Sequence, residues 1–294
     1  MSVSEIIIRN LRFGISRAPN PVWCDNNLIR TVQADALAIQ IPPGERYFIR
    51  SLRRWESKLD DAHLVSEIRG YAKQEALHTR EHEDYNDALR ALGHDVDGME
   101  RQVERQLRIE TPFISVAVTC AIEQITYSTS IVWLTKESGE GIAQPYKAMW
   151  TWHSIEEIEH AAVAIDVLNE ITKDWSSLRR YGFRVGVFTH VFLTFLINWL
   201  RFGLRLQRER EGKRTFKSVC RYFWVAFGSP GLVLDVIGGN LKYFKPGYRP
   251  DPAKNRDLLQ QSRAALDVAV ADMEHFFAER EGSASRAPEL AAAQ

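Results

Sequence analysis

Glu156-Glu157-Ile158-Glu159-His160, EEIEH, reads first as one acidic turn of a solvated helix. Far upstream, Gln74-Glu75-Ala76-Leu77-His78 carries the same Glu-x-x-His spacing, with Glu75 and His78 answering Glu157 and His160. Three residues advance about 300° around a helix, so the Glu and His of each motif share a face and can reach one ion. A single motif of this kind is a weak signal. What stands opposite each of them decides its meaning.

Apolar residues recur at three- and four-residue intervals through most of the chain, punctuated by Gly, Pro and capping residues, while strand signals are few. The expected class is all-α. A helix starts at about Pro43, since Pro suits the first helical position, and runs to about Leu59. Asp60-Asp61 caps a second helix that continues to Gly93. Thr111-Pro112 opens a third helix reaching about Lys136, Gly139-Glu140-Gly141 breaks it, and a fourth runs from about Ile142 to Thr172. The expectation is a four-helix bundle over residues 41–174, made of two hairpins. Residues 1–40 read as irregular, with room for a short strand or helix. Beyond Asp174 a fifth helix extends to about Arg210, a sixth is interrupted at Gly228-Ser229-Pro230-Gly231, and a last one spans 252–281. These additional helices pack on the bundle or cover a substrate tunnel, and residues 282–294 read as a disordered tail.

In an antiparallel hairpin, residues at one level lie equally far from the turn. Glu45 and Glu75 are symmetric about Asp60, and Glu123 and Glu157 about Glu140. The turns follow from caps and glycines, independently of the carboxylates, so each hairpin sets a Glu level with a Glu-x-x-His. Four carboxylates and two imidazoles without a thiolate suit iron or manganese, because the carboxylates neutralise and bridge the ions. The predicted ligands are therefore Glu45, Glu75, His78, Glu123, Glu157 and His160. His82, His153, His190 and Tyr127 are candidates for supporting or extending that set. Glu156 and Glu159 point away from Glu157 and read as solvent-facing or ligand-supporting, and Glu67, Glu81 and Glu83 read likewise. Cys120 and Thr126, three residues either side of Glu123, border the same cavity or simply pack.

The set Glu45, Glu75-x-x-His78, Glu123 and Glu157-x-x-His160 resembles the ferritin-like di-iron carboxylate proteins over about residues 40–172. More narrowly, Pro43-Gly44-Glu45-Arg46, the two Glu-x-x-His helices and Tyr243-Phe244-Lys245-Pro246-Gly247-Tyr248-Arg249-Pro250 look like a bacterial family catalogued as predicted metal-dependent hydrolases. That family commonly has His before the second Pro of the late motif, where this chain has Arg249. The first resemblance implies a ferritin-like four-helix bundle with additional C-terminal helices. It also implies two iron ions, or manganese or a mixed Mn/Fe pair, held by the six ligands. An enzyme so built activates O2 and oxidises a small or apolar organic substrate by hydroxylation, desaturation or N-oxygenation, drawing on a separate electron donor. The second implies hydrolysis by two metals that activate a water. A ferroxidase, iron store or redox sensor is a third reading, against which stands the long chain after the fourth helix, enough to shape a pocket.

Lys+Arg and Asp+Glu are equal at 38 each, so no global field draws the chain to nucleic acid. Cys24, Cys120 and Cys220 form no Cys-x-x-Cys pair, and the start MSVSEIIIRNLRFG lacks an export-type apolar run. A cytoplasmic protein, expected as a homodimer, fits these features. Between Arg184 and Arg201 lies the sixteen-residue apolar stretch VGVFTHVFLTFLINWL, short of the roughly twenty a membrane span needs. A helix packed over the bundle is the first reading. The flanking Arg179, Arg180, Arg201, Arg205, Arg208 and Arg210 also suit a helix lying on a membrane surface.

Overall fold

Asn27 turns its side-chain oxygen to the backbone N–H groups of Ile29 and Arg30, at 3.0 and 3.3 Å, and so caps α1, Leu28–Ala38. In this computed structural model, residues 6–109, 111–137, 141–213, 215–228 and 232–292 are described. After Ile39 and Gln40, α2 (Ile41–Arg53) opens with prolines in its first turn. Asp61 accepts from His63 and Leu64 N–H and starts α3, Ala62–Ala91. The connection after α3 holds a helix the sequence reading missed, α4 (Val96–Gln106), whose Val96, Met99 and Val103 are buried at helical spacing. Its length escaped notice because polar residues fill the outer face.

Thr111-Pro112 opens α5 (Pro112–Val132), which runs into a π-helical turn at Trp133–Glu137. Of the break expected at Gly139-Glu140-Gly141, residues 138–140 lie outside the described residues. Gly141 has φ +97°, and a Cβ there would come within 2.5 Å of Asp25 Oδ1, so the turn needs glycine. The expected continuous fourth helix is two: α6 (Tyr146–His160) and α7 (Val163–Ile171), separated immediately after His160. Then follow α8 (Ser177–Glu211), α9 (Phe216–Phe227), α10 (Leu232–Leu241) and α11 (Arg256–Ala292). Residues 229–231, in the predicted interruption between α9 and α10, lie outside the described residues. The backbone of α11 stays helical to Ala292, past Glu281, where the sequence predicts an end and a disordered tail.

The fold is all-α, with no strand among the described residues; only an isolated bridge joins Cys24 and Ile142. α2 packs along α3, α5 packs along α6 and α7, and the two pairs meet through α2 with α5 and α3 with α6 and α7. α8 lies across α1 and α5, α10 rests on α5, and α11 rests on α6. The buried apolar residues form two clusters, one around Trp23, Tyr146, Trp152 and Leu206, the other around Tyr47, Leu52, Tyr71 and Val116. The level of the predicted ligands lies where they meet. Trp152 of the first stacks edge-on against His78, with ring centres 4.7 Å apart, and Tyr71 of the second against His160 at 4.8 Å.

Candidate metal centre

α2 supplies Glu45, α3 supplies Glu75 and His78, α5 supplies Glu123, and α6 supplies Glu157 and His160; all six are buried. Burying four carboxylates in one place is costly unless cations or protons compensate. Their donor atoms converge. His78 Nδ1 lies 3.9 Å from Glu45 Oε1, 3.9 Å from Glu75 Oε1 and 3.6 Å from Glu157 Oε1. His160 Nε2 lies 3.2 Å from Glu75 Oε1, 3.4 Å from Glu123 Oε2 and 3.7 Å from Glu157 Oε1. The atoms thus divide into two halves, His78 with Glu45 and His160 with Glu123, and Glu75 and Glu157 reach both.

Both Oε atoms of Glu45 and of Glu75, Glu123 Oε2, Glu157 Oε2, His78 Nδ1 and His160 Nε2 are buried without a hydrogen-bond partner. Buried polar atoms are nearly always paired, so this many convergent exceptions, all of ligating type, fit a pair of metal ions. Glu75 with Glu123 and His160, Glu75 with His78 and Glu157, and Glu45 with His78 and His153 each bring ligand atoms within 4.8 Å of one another.

The outward nitrogen of each histidine is already assigned. His78 Nε2 lies 3.1 Å from Glu156 Oε2, and Glu156 also accepts from Arg9, so Nε2 carries a proton and Nδ1 is the nitrogen left facing the cluster. Glu156 in turn accepts from Trp152 Nε1 at 3.0 Å and from Arg9 at 3.1 Å. His160 Nδ1 lies 3.0 Å from Gln74 Oε1. The Gln74 amide nitrogen donates to Ile7 O at 3.0 Å and to Glu159 Oε2 at 3.3 Å, which fixes its oxygen toward His160 and makes Nδ1 the donor. Arg9 closes the arrangement with hydrogen bonds of 2.9 and 2.6 Å to Glu159. The hydroxyl of Tyr71 donates to Glu123 Oε1.

Glu156 and Glu159 are therefore buried supports of the two histidines, and the solvent-facing alternative is corrected. The shared physical reason is Arg9, delivered by the N-terminal segment and neutralising both acids. Glu81 is also buried and accepts from Phe13 N, whereas Glu83 pairs with Arg46 at the surface. Gln74, Tyr71, Trp152 and Arg9 were not singled out from the sequence. The first two lie four residues before His78 and Glu75, on the ligand face of α3, a spacing that could have marked them.

Of the four additional candidates, His153 reaches the cluster: its Nε2 is 3.5 Å from Glu157 Oε1. Its Nδ1 lies 3.2 Å from His82 Nε2, so His82 stands behind it. Burial and the adjacent His78 push His153 down to about 3, leaving a neutral imidazole with a lone pair to offer. His190 is exposed and lines the rim of a cavity beside Val191 and Thr194. Tyr127 turns away, its hydroxyl accepting from Asn255 Nδ2 at 2.9 Å. Thr126 borders the cavity, while Cys120 packs in the apolar cluster of Tyr71. Arg249 makes a two-pronged pair with Asp166 on α7, both contacts at 2.7 Å, and acts as a latch for the late motif.

Burial raises the carboxyls of Glu45, Glu75 and Glu123 above the usual range, Glu45 to about 8, against the opposing pull of His78 and His160. Burial would raise Glu157 too, but His160, His78 and His153 outweigh it and hold Glu157 well below that range. Burial would lower His78 and His160, yet their carboxylate neighbours hold both well above the usual imidazole value. The cluster attracts positive charge, as a metal centre must.

A cavity of about 320 Å3 opens onto this cluster, with Glu45, Glu157, His153 and Thr126 on its floor. Its walls are mostly apolar, drawn from α1, α2, α4, α5 and α8, and include Phe48, Leu107, Ile122 and Phe195.

The model of a family described as "Predicted metal-dependent hydrolase" matches residues 7–254, and the chain belongs to that family. No curated protein and no solved structure matches the chain.

Proposed function

We propose that this member of the predicted metal-dependent hydrolases is a two-metal enzyme that hydrolyses an ester or amide bond in an apolar substrate held over Glu45 and Glu157. The observation that carries the reading is the convergence of unpaired, buried ligand atoms at the floor of an apolar cavity. Glu45 with His78 and Glu123 with His160 would hold the two ions, Glu75 and Glu157 would contribute to both halves, and His153 would complete the His78 half. When bound, the two ions supply Lewis acidity and a water made acidic enough to attack at neutral pH. The chain's own contribution is positional. Glu156 and Gln74 hold the imidazole protons on the outer nitrogens, so both inner nitrogens point inward. Ile122, Leu107 and Phe195 bind the apolar part of the substrate and exclude water, which strengthens every charge interaction at the floor.

O2 activation at two irons is the second reading. It is favoured by the donor set, four carboxylates with imidazoles and no thiolate, since none of the three cysteines is among the convergent groups. Loading the metal-free protein anaerobically with ferrous iron, manganese or zinc, counting the ions, and then following both ester turnover and O2 uptake separates the readings. Turnover with zinc or manganese in the absence of O2 supports hydrolysis. O2 consumption by the ferrous form with an optical change, and no ester turnover, supports the second reading. Failure to retain any metal rejects both.

A further inference from the structure

We propose that the outer face formed by α8, α9 and α10 docks on an anionic lipid surface. Large apolar side chains stand exposed here at helical spacing: Leu193 and Ile197 on α8, Phe223, Trp224 and Phe227 on α9, and Leu234, Ile237 and Leu241 on α10. Trp224 is 71% exposed, and Phe216 at the start of α9 is 86% exposed. Side chains of α8 and α10, Phe192, Leu196, Val233 and Val236, line one smaller apolar cavity together with Leu37 and Ile125, so the two helices flank the same apolar space. The apolar stretch of α8 belongs to a helix of 35 residues, long enough to span a bilayer, but only 22% of its most apolar window is buried. A helix of a soluble core would be mostly covered. α8 also packs against α1 and α5, so one side faces protein and the other is free to meet lipid along its length.

Charge selects the occupant. Lys217 and Arg221 on α9, and Lys242 and Lys245 just after α10, are exposed and make no ion pair among the described residues. The acid within α9 and α10, Asp235, is neutralised by Lys136. Aromatic and aliphatic side chains rimmed by unpaired cations match an interface with acidic headgroups, whereas a purely apolar partner would leave the cations unanswered. The small cavity between α8 and α10 shares Phe195 and Leu37 with the larger one over the metal ligands. A docked face would therefore set the apolar route to the site next to the bilayer, a consequence that rests on the apolar-substrate reading above.

The test uses the full chain and vesicles of phosphatidylcholine with or without phosphatidylglycerol, scored by flotation. Binding is expected to the anionic vesicles and to weaken with salt. Lys217→Glu with Arg221→Glu should weaken it by more than the roughly fivefold that one surface charge contributes. Trp224→Ser with Phe227→Ser should abolish it while circular dichroism and metal content stay unchanged. Equal binding to both vesicle types, or no loss in either variant, overturns the proposal. So does a dimer in sedimentation that Trp224→Ser with Phe227→Ser converts to monomer, since the face would then be a self-association surface. Metal content, read in parallel, reports on the metal site separately from the face.

Discussion

Gln74 Oε1 accepts from His160 Nδ1 at 3.0 Å while the same side chain donates to Glu159 at 3.3 Å, so one amide ties an imidazole of the convergent cluster to a buried acid clamped by Arg9. Replacing Gln74 by Leu leaves His160 free to turn and its Nδ1–H unpaired. Affinity for the ion on the His160 side should fall about 10- to 100-fold, the usual consequence of losing such a support. Calorimetric titration should show one weakened site and one near normal. Two unchanged sites would remove Gln74 from this role.

Glu157 Oε1 lies 3.6 Å from His78 Nδ1 and 3.7 Å from His160 Nε2, whereas Glu123 approaches only the His160 half. Glu157→Ala should therefore lose both ions and Glu123→Ala one of them. Metal counting after gel filtration decides this. Identical stoichiometry in the two variants would contradict a role of Glu157 in both halves of the cluster.

Stability and metal binding should respond to pH in opposite directions. Burial raises Glu45 from an unfolded value near 4.5 to about 8 in the folded state, so the metal-free fold binds the extra proton between those values. That contribution is fully present below pH 4.5 and is lost as pH rises through 8. The slope is about 1.4 kcal/mol per pH unit for each proton concerned. Glu75, Glu123, His78 and His160 are raised too and act with the same sign, while Glu157, held low, contributes stability that is lost as pH falls. The metal-free Tm should fall from pH 5.5 to 8.5, and metal affinity should rise over the same interval because the ions displace those protons. A metal-free Tm that rises with pH would contradict the assignment.

Asp35 is buried on α1 and pairs with Arg210 Nη2 at 2.7 Å while accepting from Trp23 Nε1 at 3.0 Å and from the hydroxyl of Tyr85. Asp35→Ala leaves Trp23 Nε1 and the Tyr85 hydroxyl without their buried acceptor and removes the carboxylate that offsets the Arg210 charge. A loss of about 3–5 kcal/mol is expected, read from denaturant unfolding of the metal-loaded protein. A change below about 1 kcal/mol would mean that water replaces the carboxylate.

Val191 lines the cavity from α8, away from the ligands. Val191→Phe should raise KM for a bulky apolar substrate by about tenfold with kcat and metal content little changed, because it narrows the binding volume and leaves the floor alone. Lost metal would instead mean that α8 supports the centre.

The convergence of Glu45, Glu75, His78, Glu123, Glu157 and His160 was legible in the chain because helical periodicity and hairpin symmetry are one-dimensional properties. Glu45 mirrors Glu75 and Glu123 mirrors Glu157 about turns that caps and glycines reveal. The all-α class follows from the same periodicity. What surrounds the ligands was not legible. Glu156 and Glu159 look like surface acids until Arg9, from the far end of the chain, is folded against them. His153 and Tyr127 each lie four residues from a ligand. Packing turns His153 into the cluster, toward Glu157 of its own helix, whereas Asn255, in the turn before α11, holds the hydroxyl of Tyr127. The break after His160, the cavity walled by α4 and α8, and the uncovered face of α8 to α10 likewise depend on contacts between distant elements. Local sequence set which atoms could bind an ion; only the tertiary structure decided their charge state, their outward hydrogen bonds and the space above them.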